Sequence, residues 1–195
     1  RGSSGSQEAG GARGKRRGIN EVRDRSGSTR YDARISFRNL TLASRLTRSL
    51  EEAVHCHMGL TLVRQRTHEI EDELFLASAH GGPQTLSEAA SQFARALKQA
   101  LGEVPELQAF GLSFQVQLDA RNWVGRMVSS PRIFSAEEVM DAWCRLESAR
   151  CGGWAELRAL WSSWLQKDRR ARWGIHTRSA RQAEDFIAAA EAGFA

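Results

Sequence analysis

Between Ala33 and Arg38 apolar and polar side chains alternate, Ile35 and Phe37 on one face and Arg34, Ser36 and Arg38 on the other. A period of two predicts a half-buried strand. Beyond it Leu42, Leu46, Leu50, Ala53, Val54 and His57 recur every three or four residues, the spacing of one helix face, with Gly59 as its stop. Leu60-Thr61-Leu62-Val63 then reads as a second strand and Glu73–Ala77 as a third, the acidic Glu69–Asp72 stretch forming the turn between them. The alternative is a mostly helical region with one long helix from Thr41 to Ser78, because Ile70, Leu74 and Phe75 keep helical spacing. Strand-forming side chains beside a helix-breaking glycine favour the strands.

The next helix is announced by a loop, His80-Gly81-Gly82-Pro83, and a capping box, Thr85 with Glu88. Its apolar stripe is Leu86, Ala90, Phe93, Leu97 and Leu101, and Gly102 and Pro105 end it. Leu112, Phe114, Val116 and Leu118 then alternate with Ser113, Gln115 and Gln117, predicting a strand buried on one side. The expected fold class is therefore α+β, a ferredoxin-like βαββαβ body over residues 31–119. Residues 120–195 read as a Trp-rich helical region. Ser135 and Glu138 cap a helix on Val139, Met140, Trp143 and Leu146; Gly152-Gly153 breaks it; Trp154, Leu157, Trp161, Trp164 and Leu165 form the second arm of a helical hairpin. A terminal helix runs over Ser179–Ala192 on Ala183, Phe186, Ile187 and Ala190.

Charge sets the first thirty residues apart. The chain holds 28 Lys+Arg against 23 Asp+Glu, a net charge of +5. Residues 1–30 carry eight bases and three acids, so the remaining body is balanced. From Arg1 to Thr29 the only apolar side chains larger than alanine are Ile19 and Val22, too few to offset the entropy of ordering. This arm is expected to be disordered alone and to lie along a polyanion, with Arg13, Lys15, Arg16, Arg17, Arg23, Arg25 and Arg30 as phosphate contacts. Its arginine- and serine-containing, acid-poor composition is compatible with an organelle-targeting remnant, hence a mitochondrial matrix location. Three cysteines, an odd number, do not make a secreted disulfide framework and indicate an intracellular, reducing compartment. No apolar run approaches membrane-spanning length.

Ile35-Ser36-Phe37-Arg38-Asn39-Leu40 resembles the first short signature of RNA-recognition-motif domains, an aliphatic, an aromatic, an aliphatic, any residue, then Asn-Leu. The resemblance implies a βαββαβ sheet with a stacking platform for bases. Ser36 stands where the stacking aromatic belongs, and Leu74-Phe75-Leu76-Ala77 lacks the Gly-aromatic pattern of the second signature. A ferredoxin-like sheet with another role is therefore the expectation.

His55-Cys56-His57 concentrates metal-capable side chains, but residues two apart on a helix diverge by about 200°. His68-Glu69 has Asp72 where a helical zinc-protease signature needs its second histidine, and Gly81-Gly82 lacks the Lys-Ser/Thr of a phosphate loop. No catalytic constellation, metal site, cofactor or small-molecule substrate is indicated. The tryptophans at helical spacing read as core. Trp173 differs, lying among Arg169, Arg170, Arg172 and Arg178, and Arg121, Trp123, Arg126 and Arg132 repeat the mixture. Arginine beside an exposed aromatic suits phosphate and base contact. The expected function is a non-enzymatic structural subunit of a ribonucleoprotein, ribosome-like and organellar, its partners RNA (ribosomal) and neighbouring protein subunits. The alternative is a scaffold or accessory subunit of a large assembly without nucleic acid, docking through Trp161 and Trp164.

Overall fold

The structure, a computed structural model, describes residues 18–23, 27–77, 86–167 and 178–194. The molecule is α+β. Strands β1 (Ile19–Arg23), β2 (Thr29–Phe37) and β3 (Leu40–Ala43) precede helices α1 (Leu50–Ala77) and α2 (Leu86–Gly102). A 3₁₀ helix (Pro105–Phe110) leads into β4 (Ser113–Ala120), the short α3 (Arg121–Val124) and β5 (Arg126–Ser129), followed by α4 (Ala136–Cys151), α5 (Trp154–Lys167) and α6 (Ala180–Ala192). The five strands form one antiparallel sheet in chain order, β1-β2-β3-β4-β5. That is not the expected βαββαβ succession: three strands come before the first helix.

The difference starts at Arg38-Asn39. Both residues have positive φ, 45° and 61°, and they form the two-residue loop between β2 and β3. Such loops match the twist of the flanking strands only in primed conformations, which need positive φ at both positions. Leu42, expected on the first helix face, lies instead in β3, where Leu40–Ala43 pairs with β2 and β4, with Leu40 opposite Val116 and Leu42 opposite Phe114. All four residues of β3 are buried, so no polar alternation marks it.

Leu60–Val63 and Glu73–Ala77, expected as strands, are helical parts of α1. The long-helix alternative therefore holds from Leu50 to Ala77. Ala53, Cys56, Leu60, Val63, Thr67 and Ile70 are buried at alternating three- and four-residue steps, one continuous face. Leu62 is 45% exposed, which strand alternation would not produce beside buried Leu60 and Val63. The hydroxyls of Thr61 and Thr67 donate to the carbonyls of His57 and Val63, 2.8 and 2.7 Å away, so both threonines are satisfied inside the helix. Gly59 does not stop the helix but lets it approach the 3₁₀ segment: a Cβ there would lie 2.8 Å from Leu107 Cδ2.

The later elements follow the expectation. In α2, Ala90, Phe93, Ala96, Leu97 and Ala100 are buried, and α2 packs along α1. Phe114, Val116 and Leu118 face the core from β4. Ser135 caps α4 by accepting from the Glu138 amide at 3.3 Å, and Ser179 with Gln182 makes a reciprocal capping box on α6. Trp143, Trp161 and Trp164 are core residues. Two boundaries shift. Ile19–Arg23, assigned to the arm, pairs with β2 from Ile19–Ala33 to Arg23–Thr29. β5, within the region read as helical, is the sheet's fifth strand, so the sheet crosses residue 119. Among the described residues no helix is long and apolar enough to cross a membrane.

Candidate nucleic-acid interface

At one end of the sheet α3 joins β4 to β5. Gly125 closes it at φ +67°, and a Cβ there would come 2.9 Å from Phe194 Cδ2, so the glycine lets the end of α6 pack under the turn. The turn presents Trp123, whose ring lies parallel to Trp154 of α5 at 5.4 Å between centroids and 8° between planes. Trp154 leans on Trp161 at 6.4 Å, and Trp161 meets the edge of Phe186 of α6 at 6.0 Å. Four aromatic rings from three elements thus form one row.

Two guanidinium groups rest on this row. Arg126 Cζ lies 4.7 Å from the Phe186 centroid and 5.4 Å from that of Trp161. Arg178 Cζ lies 3.8 Å from the same Phe186 centroid. Guanidinium over an aromatic face is attracted by the ring quadrupole. Arg126 is exposed, whereas Arg178 is half-buried, its Nη1 enclosed and without a hydrogen-bond partner among the described residues. Two nearby carboxylates, Glu184 and Glu191, are otherwise engaged. Glu191 accepts from Trp154 Nε1 at 2.8 Å and from Arg158 Nε at 3.1 Å; Glu184 accepts from Ser162 at 2.8 Å and Arg158 at 2.5 Å. The Ser162 hydroxyl, then Arg158, hold the Glu184 carboxyl below the usual range. Arg121 is paired with Asp119 through 2.9 and 2.6 Å contacts, which lower the Asp119 pKa to about 2. Among the described residues, Arg126 and Arg178 have no carboxylate partner.

Of the basic residues singled out from sequence, Arg23 lies exposed on β1, 3.7 Å from Glu21, and Arg30 is half-buried on β2 opposite Val22. Arg178 is on Phe186. Arg13, Lys15, Arg16, Arg17, Arg25, Arg169, Arg170, Arg172 and Trp173 lie outside the described residues. Phe186, which joins Arg126 to Arg178, was assigned only to a helix stripe by its spacing. Its contact with both arginines had no local sequence signal, because the pairing of β5 and the packing of α6 create it.

The resemblance to an RNA-binding signature dissolves on the sheet. Asn39 is a turn residue whose carbonyl accepts from the Gln117 amide at 2.6 Å, and the Ser36 hydroxyl bonds Thr41 at 2.7 Å. The histidine and acidic runs diverge around α1. His55 packs edge-on to Phe110, His57 lies against Gly18, and Cys56 points inward, its thiol pushed up to about 11 by burial. Glu69 pairs with Arg66, whereas Glu71 turns inward to Arg38 at 3.1 Å. Among the described residues no three His, Cys, Asp or Glu side chains gather around one point. A cleft of about 480 Å³ between α2 and α4 is walled by Ala94, Leu97, Ala136 and Met140, and its one hydroxyl, Ser135, is committed to capping α4.

No protein-family model matches the chain, and neither a curated protein nor a solved structure does. The functional reading therefore rests on this geometry.

Proposed function

We propose that the chain is a non-enzymatic RNA-binding subunit of a ribonucleoprotein. The observation that carries this reading is the meeting of Arg126 and Arg178 on Phe186, with no carboxylate partner for either among the described residues. It joins two arginine–aromatic clusters that are separate in sequence, 121–132 and 167–181. Stacked guanidinium groups supply phosphate-seeking charge, and the basic residues before Gly18 add a second, sequence-independent contact. RNA and neighbouring protein subunits are the partners of this reading, and the acid-poor arm suits an organellar setting.

The test is RNA affinity measured across a range of salt concentrations. Removal of residues 1–17 leaves β1 intact, and Arg126→Gln with Arg178→Gln leaves the rings in place. Each lost phosphate contact on a single strand should make the slope of log affinity against log salt shallower by about 0.7. RNA affinity and slope unchanged in both variants would reject the reading.

A scaffold role without nucleic acid would need a surface other than Trp161 and Trp164, which are 4% and 6% exposed. Val54, Met58 and Leu62 offer one. They repeat every fourth residue on α1 and are 37%, 65% and 45% exposed. A neighbouring protein subunit seated there should be lost from the native complex on Met58→Glu, with the melting temperature unchanged.

A further inference from the structure

We infer that Trp123 is a seat for one unpaired nucleobase, so that the chain takes single-stranded rather than duplex RNA. The inference rests on the RNA-binding reading and narrows it to the kind of strand and to one residue.

Trp123 is held in place by its neighbour in the row. Its ring is nearly parallel to Trp154, 8° between planes, so one face is covered by indole. The residue nevertheless remains 37% exposed, so part of the ring is open to solvent beside that stack. Trp154 itself is fixed, because its indole N–H donates to Glu191, which Arg158 holds from the side. The Trp123 ring is thus pre-oriented by its neighbour and needs little further ordering when a third ring is added. Offset parallel stacking is a favourable arrangement for aromatic pairs, and a base extends the stack without being read by hydrogen bonds.

The surroundings suit a nucleotide better than an apolar side chain. Arg121, Asn122 and Arg126 flank the ring on the same turn, all exposed. Arg126, without a carboxylate partner among the described residues, lies on Trp161 and Phe186, the second and third rings beyond Trp123 in the row. A base on Trp123 would therefore have its backbone within the field of an exposed cation that no described carboxylate neutralises. A duplex cannot use this seat, because its bases are stacked on each other and their faces are closed.

The experiment compares three ligands on the full chain: a short single-stranded RNA, the same RNA in a duplex, and the same single strand with abasic nucleotides. The single strand should bind more tightly than the duplex. Loss of the bases should weaken binding by roughly tenfold to a hundredfold, the range of one stacking contact. Trp123→Leu should lose most of that difference while leaving the salt slope unchanged, and Trp123→Phe should restore part of it. Melting temperatures of both variants separate a lost contact from a damaged fold. Equal affinity for single strand and duplex, or an abasic penalty as large in Trp123→Leu as in the parent, overturns the seat and leaves the RNA-binding reading standing. Failure of every RNA to bind overturns both.

Discussion

Arg38 and Glu71 form an ion pair of 3.1 Å that fastens the β2–β3 turn to the inner face of α1. Arg38 is held at three points, since its carbonyl also accepts from Trp143 Nε1 at 2.8 Å and its guanidinium lies 5.9 Å over Phe93, all at a φ of 45°. The turn therefore joins β2, α1, α2 and α4 at one residue. A bulky residue at positive φ costs of order 1 kcal/mol or more, and this set of contacts over-determines it.

Burial raises the Glu71 pKa, while Arg38 and then His68 oppose the rise. A carboxyl whose folded pKa exceeds its unfolded value favours the fold below the unfolded pKa, and that contribution is lost as pH rises through the folded value. Glu71→Gln should therefore flatten the stability profile just above the ordinary glutamate range and leave the protein no less stable at neutral pH. Arg38→Gln removes the partner and should cost about 1–2 kcal/mol at neutral pH, below the ~3–5 kcal/mol of a fully buried pair. The discount reflects an arginine side chain that is 49% exposed. Denaturant midpoints between about pH 4 and 8 test both, and the double variant should recover part of the Arg38→Gln loss.

Gly125 should be intolerant of any side chain for two separable reasons. Its φ is +67°, and an added Cβ would meet Phe194 at 2.9 Å. Gly125→Ala is expected to cost about 1–2 kcal/mol from the backbone alone, plus the displacement of Phe194. In Gly125→Ala with Phe194→Ala the steric part should vanish and the backbone part remain. Thermal melts of the two single variants and the double variant give that partition, and a fully additive result would mean that the contact does not matter.

The parts of this fold legible from sequence are those with a strong period and a cap. α2, β4, α4, α5 and α6 carry repeated apolar positions bounded by Gly, Ser or Pro. β3 was hidden because all of Leu40–Ala43 is buried and its turn contains no glycine. β5 buries only Val128, and β1 only half-buries Ile19, so neither has an alternation to detect. α1 was split because Gly59 reads locally as a break, whereas its role is to meet Leu107, a contact between distant segments. For the interface, the arginine and tryptophan clusters were legible as composition. Their junction on Phe186 depends on β5 and α6 meeting, which no local pattern encodes.

Trp164 and Trp161 should behave as core. Each is nearly fully buried, and Trp161 is the ring between Trp154 and Phe186. Trp164→Ala should lower stability by about 3–5 kcal/mol through lost burial and the cavity left behind. Trp161→Ala should do the same and also release Arg126 and Trp154, so its RNA affinity should fall even well below its melting temperature. Equal RNA affinity for the folded Trp161→Ala and Trp164→Ala proteins would show that the aromatic row does not organise the interface.

The segment between Lys167, the last residue of α5, and Arg178 contains Arg169, Arg170, Arg172 and Trp173 and lies outside the described residues; Arg178, which follows it, rests on Phe186. Under the RNA-binding reading its arginines and its tryptophan act through different physics. Arginines on phosphates release condensed counterions, so Arg169→Gln with Arg170→Gln should reduce affinity and make the salt slope shallower by about 1.4, two contacts at ~0.7 each. A stacked tryptophan releases none. Trp173→Leu should therefore lower affinity by about 1–3 kcal/mol per base and leave the slope nearly unchanged. Fluorescence anisotropy of a labelled single strand at four or more salt concentrations separates the two effects. A Trp173→Leu protein that melts earlier but binds RNA normally would assign that tryptophan to the core, and an unchanged slope in the arginine variant would remove the segment from the phosphate contacts.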